Sequence, residues 1–354
     1  MSASEVTVTA DELRRFCADA LEAVGAARED AEVVADSLVD SDLRGVDTHG
    51  IPARLPNYIQ RVRGGGIVPD ATVETIADHG AIVTLDAGDG FGQVAADKGM
   101  RTAIDRASVH GVGVVGVRAS NHVGAMSYWS RMATEQGMVG FALSGAAPAI
   151  APWGGVEKLL GSNPWSLAYP TAGGRPPLAV DVSNGVVIYG KIRAAANQGE
   201  KIPSDWGLDP QGRPTEDPEQ AIAGSLAPFG GAKGAALTLA FEVLGSVLTG
   251  AAYSRHVPEL SDVDQPQRLG HIFAALPVDR FLDPAEFTAR LEELIGWIEG
   301  CQPAEGFDEV RVPGARGERA LEQRQADGIP MTGRIDGLSK LAGDLSIDAP
   351  RTHA

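Results

Sequence analysis

GVGVVGVRA (111–119), followed directly by SNHVG (120–124), decides which α/β fold is open to this chain. Gly111, Gly113 and Gly116 satisfy G-x-G-x-x-G, the dinucleotide fingerprint. That pattern works only where a strand precedes the glycines and a helix follows, so that the helix N-terminus holds the pyrophosphate. Here the order is inverted: residues 91–110 read as a helix and VVGVRA as a buried strand. The glycines are expected to serve close packing in a crowded sheet, and a Rossmann loop is rejected. The same stretch ends at a strand-to-helix junction. Ligands of open α/β sheets sit at the carboxyl ends of strands, which puts Asn121 and His122 in a crevice. The plainer alternative is a His that caps the following helix.

Outward from this stretch the chain divides by its periodicity. A helix is predicted from Thr9, because Thr9 and Glu12 have the spacing of a capping box and Leu13, Cys17, Ala20 and Val24 recur at helical intervals. Gly25 stops it. A second helix is predicted over 29–43 with Val33, Val34, Leu38 and Leu43 buried, and a third through Tyr58 and Val62. From residue 72 the pattern changes: TVETIADHGAIVTLDAG (72–88) reads as strand, turn, strand, residues 123–136 as a helix, and MVGFALSG (138–145), SLAYP (166–170) and PLAVDVS (177–183) as strands. DPQGRP (209–214) is a turn. An apolar helix is predicted over 235–248, a strand in GHIFAALPV (270–278), and helices over 284–300 and 315–326 that pack back on the N-terminal ones. The expected fold class is mixed α/β. A helical N-terminal part (1–71) and a C-terminal helical segment (271–354) flank a central α/β domain (72–270).

SDLRGVDTHGIPARLPNY (41–58) concentrates chemistry at the end of the second helix. It holds Arg44, His49, Arg54 and Tyr58, with Asp42 and Asp47 beside them and Gly45 and Gly50 breaking the backbone on either side of the His. A His can give or take a proton near neutral pH, and Arg can fork onto a carboxylate. A solvated helix end with a satisfied His is the plain alternative. In APFGGAKGAALTLAFEVL (227–244), Gly230, Gly231 and Gly234 surround Lys233 just before a helix, which suits a phosphate or carboxylate. The order and spacing of a Walker A loop are absent. PAIAPWGGVEKLLGSNPWSLAYP (148–170) carries Trp153 and could bring backbone amides close to a ligand, although rigid turns alone would explain it.

Composition bounds the function class. The chain has 354 residues, 44% hydrophobic and 22% charged, which is ordinary for a soluble globular protein large enough for two subdomains. A net charge of −17 argues against nucleic-acid and anionic-membrane partners. Cys17 and Cys301 are the only cysteines and fit a reducing cytosol. MSASEVTVTA (1–10) lacks the basic and apolar regions of a signal peptide, and no apolar run approaches the length of a membrane span. The seven His show no H-x-H or H-E-x-x-H spacing, so no metal is expected.

SDLRGVDTHGI (41–51), SNHVG (120–124), APWGGVEKLLGSNP (151–164), VDVS (180–183), YGKI (189–192), PFGGAKGAALTLAFEVLGSVLTG (228–250), LGHIF (269–273) and RVPG (311–314) together resemble the malate/L-lactate dehydrogenase-like oxidoreductases, which lie outside the Rossmann dehydrogenases. Relatives in that family include sulfolactate and ureidoglycolate dehydrogenases, diketogulonate reductase and cyclic-imine carboxylate reductases. The motifs run in family order over residues 5–335. The resemblance implies NAD or NADP as cofactor, a small carboxylic acid as substrate, and interconversion of a 2-hydroxy acid with its 2-oxo acid. Reduction of a cyclic 2-imino acid or a diketo sugar acid is the variant reading. It further implies a cytoplasmic homodimer, with the N-terminal part in the substrate and dimer domain and the central domain binding the cofactor. By motif, His49 looks like the proton donor or acceptor and His122 like a second catalytic imidazole. Arg44, Arg54, Tyr58 and Asn121 look like the substrate side. Ser144, Val180, Asp181, Ser183, Lys233 and Gly314 look like the cofactor side. Two departures bear on substrate choice: Ser144-Gly145 stands where many relatives read Thr-Asn, and His49 to Arg54 is one residue longer than in some.

The chemistry agrees. Oxidising a secondary alcohol removes a hydride from carbon and a proton from oxygen, and a neutral imidazole can take the proton. An Arg fork would orient the carboxylate. Two other classes stay open: a metal-dependent lyase or hydrolase using His49, Asp47, His122 and Asp181 as ligands, and a non-catalytic binding or scaffold protein.

Overall fold

The computed structural model of the chain describes residues 6–353, so the first half of MSASEVTVTA, read as no signal segment, lies outside the described residues. An N-terminal layer comprises β1 (Thr7–Val8) and the helices α1 (Ala10–Glu22), α2 (Arg28–Leu43) and α3 (Ile51–Gly64). The strands β2 (Glu74–Asp78), β3 (Ile82–Asp86), β4 (Gly113–Ser120), β5 (Met138–Ser144), β6 (Pro148–Ile150), β7 (Leu160–Gly161), β8 (Trp165–Tyr169) and β9 (Leu178–Val182) follow, with α4 (Gly92–His110) and α5 (Met126–Thr134) among them. Then come α6 (Tyr189–Gln198), β10 (Gly207–Leu208), α7 (Pro218–Ala223), β11 (Ser225–Leu226) and α8 (Ala232–Glu242), which a π-helical turn, Val243–Val247, extends. The chain closes with β12 (Leu269–Pro277), α9 (Pro284–Glu299), α10 (Ala315–Asp327), β13 (Ile329–Pro330) and α11 (Ile335–Leu345).

The large sheet has the order β2-β3-β4-β12-β5-β8-β9. Only β3 and β4 run parallel; the other neighbours are antiparallel. A small sheet, β10-β11-β6-β7, packs with α6 and α7. One core joins α1, α2, α3 and α11, and a second lies between the large sheet and α4 and α5. Trp129 on α5 is fully buried in it, its indole N–H satisfied by the Val123 carbonyl at 2.9 Å. Among the described residues no helix is long and apolar enough to cross a membrane.

The expected boundary at residue 270 falls inside β12, which fills the gap between β4 and β5 and is the middle strand of the sheet. Its nearly continuous burial gave the strand reading but no address, because a strand buried on both faces has lost the alternation that would locate it. Of the two C-terminal helices expected beside the N-terminal ones, α10 lies against α2 and α9 does not reach them; α11, not anticipated, lies against α3. Leu338, Leu341 and Ala342 of α11 enter the N-terminal core, whereas α9 lies beside the β8–β9 connection, where Arg175 meets Glu292 at 2.9 Å and Glu299 at 3.4 Å. Thr9 caps α1, but Glu12 does not complete the box; its carboxylate goes to Arg15 and Arg351.

The rejected fingerprint is packing. Gly111 is the left-handed C-cap of α4 at φ 81°. A Cβ on Gly113 would lie 1.9 Å from the Ala103 carbonyl oxygen of α4, and Gly140 stands in the same relation to Ser130 of α5, at 2.0 Å. Both helices press onto bare backbone. Gly113→Ala must push α4 off the sheet, an overpacking cost of at least about 1–3 kcal/mol; thermal unfolding should show a clear drop in Tm, and an unchanged Tm would refute the packing role.

Candidate functional site

Between α2 and α3 the chain turns through Gly45, at φ 69°, and the His49 amide donates to the Val46 carbonyl at 2.8 Å. Gly50 is the N-cap of α3 and has no side chain to offer, so Asp42, at the end of α2, caps the helix from outside: its Oδ2 accepts from Ile51 N at 2.8 Å. A Cβ on Gly50 would stand 1.8 Å from Asp42 Oδ1, so glycine is required for the approach. Burial pushes the Asp42 carboxyl up to about 7. Asp47 faces away and holds Arg324 and Arg334, each at 2.9 Å. Arg44, expected at the substrate, is instead tied to Asp40 at 2.9 Å and to Glu318 of α10. Helix closure uses up its charge.

α3 then presents Arg54, Tyr58 and Arg61 at i, i+4 and i+7, one face of the helix. Arg54 differs from its neighbours: among the described residues its guanidinium has no ion pair or hydrogen bond, and its Nε is buried without a partner. The Tyr58 hydroxyl lies 2.7 Å from His122 Nδ1 and accepts from Gln93 Nε2 at 2.8 Å. His122 stacks on His49, ring centres 5.6 Å apart and planes at 21°, and His49 Nδ1 is 3.0 Å from Thr48 Oγ1. Burial and then the Arg54 charge push the His49 imidazole down to about 3; the same two causes, in the same order, hold His122 well below its ordinary value. Two neutral imidazoles and a guanidinium without a counter-ion among the described residues therefore stand together at this junction. It can hold an anion and exchange a proton beside it.

Two further expected site residues have other work. Asn121 is 1% exposed and fully bonded: Nδ2 donates to the Asp89 and Gly90 carbonyls, both at 2.9 Å, and Oδ1 accepts from Arg61 at 3.1 Å and from Gln267 N at 3.2 Å. Ser144 is buried; its hydroxyl donates to the Gly145 carbonyl at 2.7 Å and accepts from His271 Nδ1 at 3.0 Å. The hydrogen bonds of both side chains are made within the protein. The sequence reading missed Gln93, Gln267 and His271. His271 had one usable signal: a His inside an apolar strand is a buried polar group that needs a partner. Gln93 had none, since its partner lies on another helix.

Residues 8–336 match the family model described as malate/L-lactate dehydrogenase. The chain belongs to this family. It is 35% identical to the malate dehydrogenase of Pyrococcus abyssi over 97% of this chain and 96% of that one. It is 36% identical to the (2R)-3-sulfolactate dehydrogenase (NADP(+)) of Chromohalobacter salexigens, with 88% and 90% covered. The solved structure of sulfolactate dehydrogenase from Methanocaldococcus jannaschii matches the fold with a TM-score of 0.90 at 34% identity, covering 97% and 98%. The chain is thus a family oxidoreductase with a mixed α/β fold.

The expected cofactor side of this dehydrogenase-family chain gathers around β9. Val180 and Asp181 lie in β9 and Ser183 just beyond it. The Asp181 carboxylate accepts from Ser127 N at the start of α5, at 2.8 Å. Gly314, at φ 89°, is the N-cap of α10, and a Cβ there would approach the Ala179 carbonyl to 3.2 Å. Phe229 N bonds the Asn184 carbonyl at 3.1 Å, which brings the glycine loop beside the end of β9. In that loop Gly230 and Gly231 take φ 62° and 64°, and Lys233 is exposed at the first turn of α8 with no ion pair among the described residues. A free ammonium, a helix N-terminus and bare backbone fit the phosphates of a dinucleotide. Of the side chains named for a metal-dependent alternative, Asp47 is held by two arginines and Asp181 by the Ser127 amide.

Stability should follow the buried imidazoles. His49 and His271 are each held near 3, against about 6.5 in an unfolded chain. The unfolded state therefore binds more protons between those values, and stability is full above about pH 6.5 and lost as pH falls. Asp42 acts oppositely, as do Asp30 and Asp181, whose carboxyls burial also raises, but the depressed His122 joins the other two imidazoles and the histidine shifts are the larger. Melting temperature should fall steadily from pH 7 to pH 4.5; a flat profile would contradict the buried neutral state.

Proposed function

We propose that the chain is an NAD(P)-dependent dehydrogenase that interconverts a 2-hydroxy acid and its 2-oxo acid. One observation carries this reading: Arg54 is a half-buried guanidinium with its Nε fully buried and, among the described residues, no counter-ion, set beside two neutral imidazoles. Burying such a charge unpaired is costly, and a carboxylate is the planar partner its fork would accept. The bound nicotinamide supplies the hydride chemistry. Lys233, the Gly230–Gly231 turn, Gly314 and the end of β9 would hold the dinucleotide.

Arg54 grips the carboxylate, which sets the neighbouring carbon and its oxygen against the His49–His122 pair. In oxidation a neutral His49 takes the hydroxyl proton, and in reduction its conjugate acid returns it. Arg54 also couples binding to proton transfer. Its charge depresses His49 in the free enzyme, and a bound carboxylate cancels that charge, so His49 becomes more basic when substrate is present. We also infer a cytosolic homodimer. Support for it comes from free Cys17 and Cys301 and from an apolar stripe, Leu239, Val243 and Val247, about half exposed along α8 and its extension.

NADH and NADPH oxidation with pyruvate, oxaloacetate, 2-oxoglutarate and sulfopyruvate tests the reaction. Turnover with one acid is expected, and a folded wild type inert to all of them would end this reading. Arg54→Leu should reduce kcat/KM at least ~30-fold, the loss of a buried charge pair of about 2–5 kcal/mol. His49→Ala should lower kcat by about 10²–10⁴. Wild-type kinetics in either variant would remove that residue from its role.

A further inference from the structure

The pair of histidines is not symmetric, and the asymmetry comes from three residues around His122. Its Nδ1 receives the Gly124 backbone N–H at 3.3 Å, and that N–H can only donate. Nδ1 is therefore the acceptor nitrogen of the neutral ring, but at 3.3 Å this bond is long and does not by itself hold the tautomer. The Tyr58 hydroxyl, 2.7 Å away, must then donate its own proton to the same nitrogen. With its proton committed, the Tyr58 oxygen can only accept, which fixes the Gln93 side chain with its NH2 toward Tyr58, at 2.8 Å. Gln93 Oε1, buried with no partner, is the atom left over by that orientation. Every donor in the chain points one way, from Gln93 through Tyr58 to His122.

The backbone makes the chain possible. Gly92, the first residue of α4, faces the carbonyls of Asn121 and His122; a Cβ there would lie 2.2 Å from the first and 2.5 Å from the second. Its lack of a side chain brings the start of α4, and so Gln93, against the residues that follow β4. Tyr58 is 1% exposed and Gln93 is equally buried, so no solvent competes for these bonds.

We propose that Gln93 and Tyr58 are positioning residues that lock His122 in the Nε2–H tautomer, making it the hydrogen-bond donor to the substrate's oxo oxygen and leaving His49 as the group that exchanges the proton. The inference rests on the Arg54–His49–His122 site proposed above and assigns different tasks to its two imidazoles. His122 stabilises charge that develops on oxygen and stays neutral throughout. A preorganised donor of this kind acts in the transition state more than on bound substrate.

The test reads the tautomer directly. Nitrogen-15 NMR of histidine-labelled protein distinguishes a protonated from an unprotonated ring nitrogen without any turnover. Wild-type His122 is expected as the Nε2–H form from pH 6 to pH 8. Gln93→Glu keeps size and shape but offers Tyr58 an acceptor, which reverses the direction of the chain. His122 should then shift toward Nδ1–H, and kcat should fall about 10²–10³-fold with KM changed less than threefold, as for a lost transition-state donor. Tyr58→Phe removes the short bond without offering a competing one, so His122 should show a mixture of the two tautomers and kcat should fall less than in Gln93→Glu. An Nδ1–H wild type, or a Gln93→Glu protein that keeps the Nε2–H form, overturns the proposal. A wild type that shows the Nε2–H form but turns over no 2-oxo acid would overturn the enzymatic reading and with it the donor role, while leaving the tautomer lock standing.

Discussion

A single buried guanidinium holds the layers of this protein in register. Arg61 of α3 has no exposed surface, and among the described residues its side chain has no ion pair. It donates to the carbonyls of Asp262, Gln265 and Gly66 at 2.6, 2.9 and 3.2 Å, and to Asn121 Oδ1 at 3.1 Å. Asn121 in turn holds the Asp89 and Gly90 carbonyls and the Gln267 amide. Four segments distant in sequence meet at these two side chains. A buried charge is tolerable only if its donors are met, so the carbonyls around Arg61 are a condition of its burial.

The site depends on that cross-link through simple adjacency. Tyr58 lies one turn before Arg61 on the same helix, and His122 is the residue after Asn121. Fixing Arg61 against Asn121 fixes Tyr58 against His122. The pocket thus lies at the seam between the N-terminal helical layer and the sheet, where each layer contributes one imidazole. On the reading proposed above, substrate handling would fall to α3 and the loop before it. The residues expected at the dinucleotide, Lys233 and Gly314, lie along β9.

Arginine use shows how similar side chains part company. Arg44, Arg54 and Arg61 lie within eighteen residues, and all are at least partly buried. Arg44 is neutralised by Asp40 and Glu318, both terminal nitrogens of Arg61 are met by oxygens although its Nε is not, and of the three only Arg54 has no hydrogen bond or ion pair among the described residues. Only the third is chemically available. Spacing shows only the Asp40 pairing of Arg44, one helical turn away; the second carboxylate, Glu318, comes from α10, 274 residues away.

Local order and short-range chemistry were legible in the sequence by itself. The inverted order around Gly111–Gly116 excluded the Rossmann loop, periodicity located α1 through α5 and the long strands, and the motifs of 41–51, 120–124 and 228–250 pointed to the family. These are properties of neighbouring residues, and a few turns of chain encode them. Tertiary structure alone decided where β12 inserts, which arginine is free, that the side chains of Asn121 and Ser144 bond within the protein, and that Gln93 and Tyr58 aim at His122. Each of those depends on a partner brought in from a distant segment, and hydrogen-bond complementarity between distant segments leaves no periodicity in the chain to read.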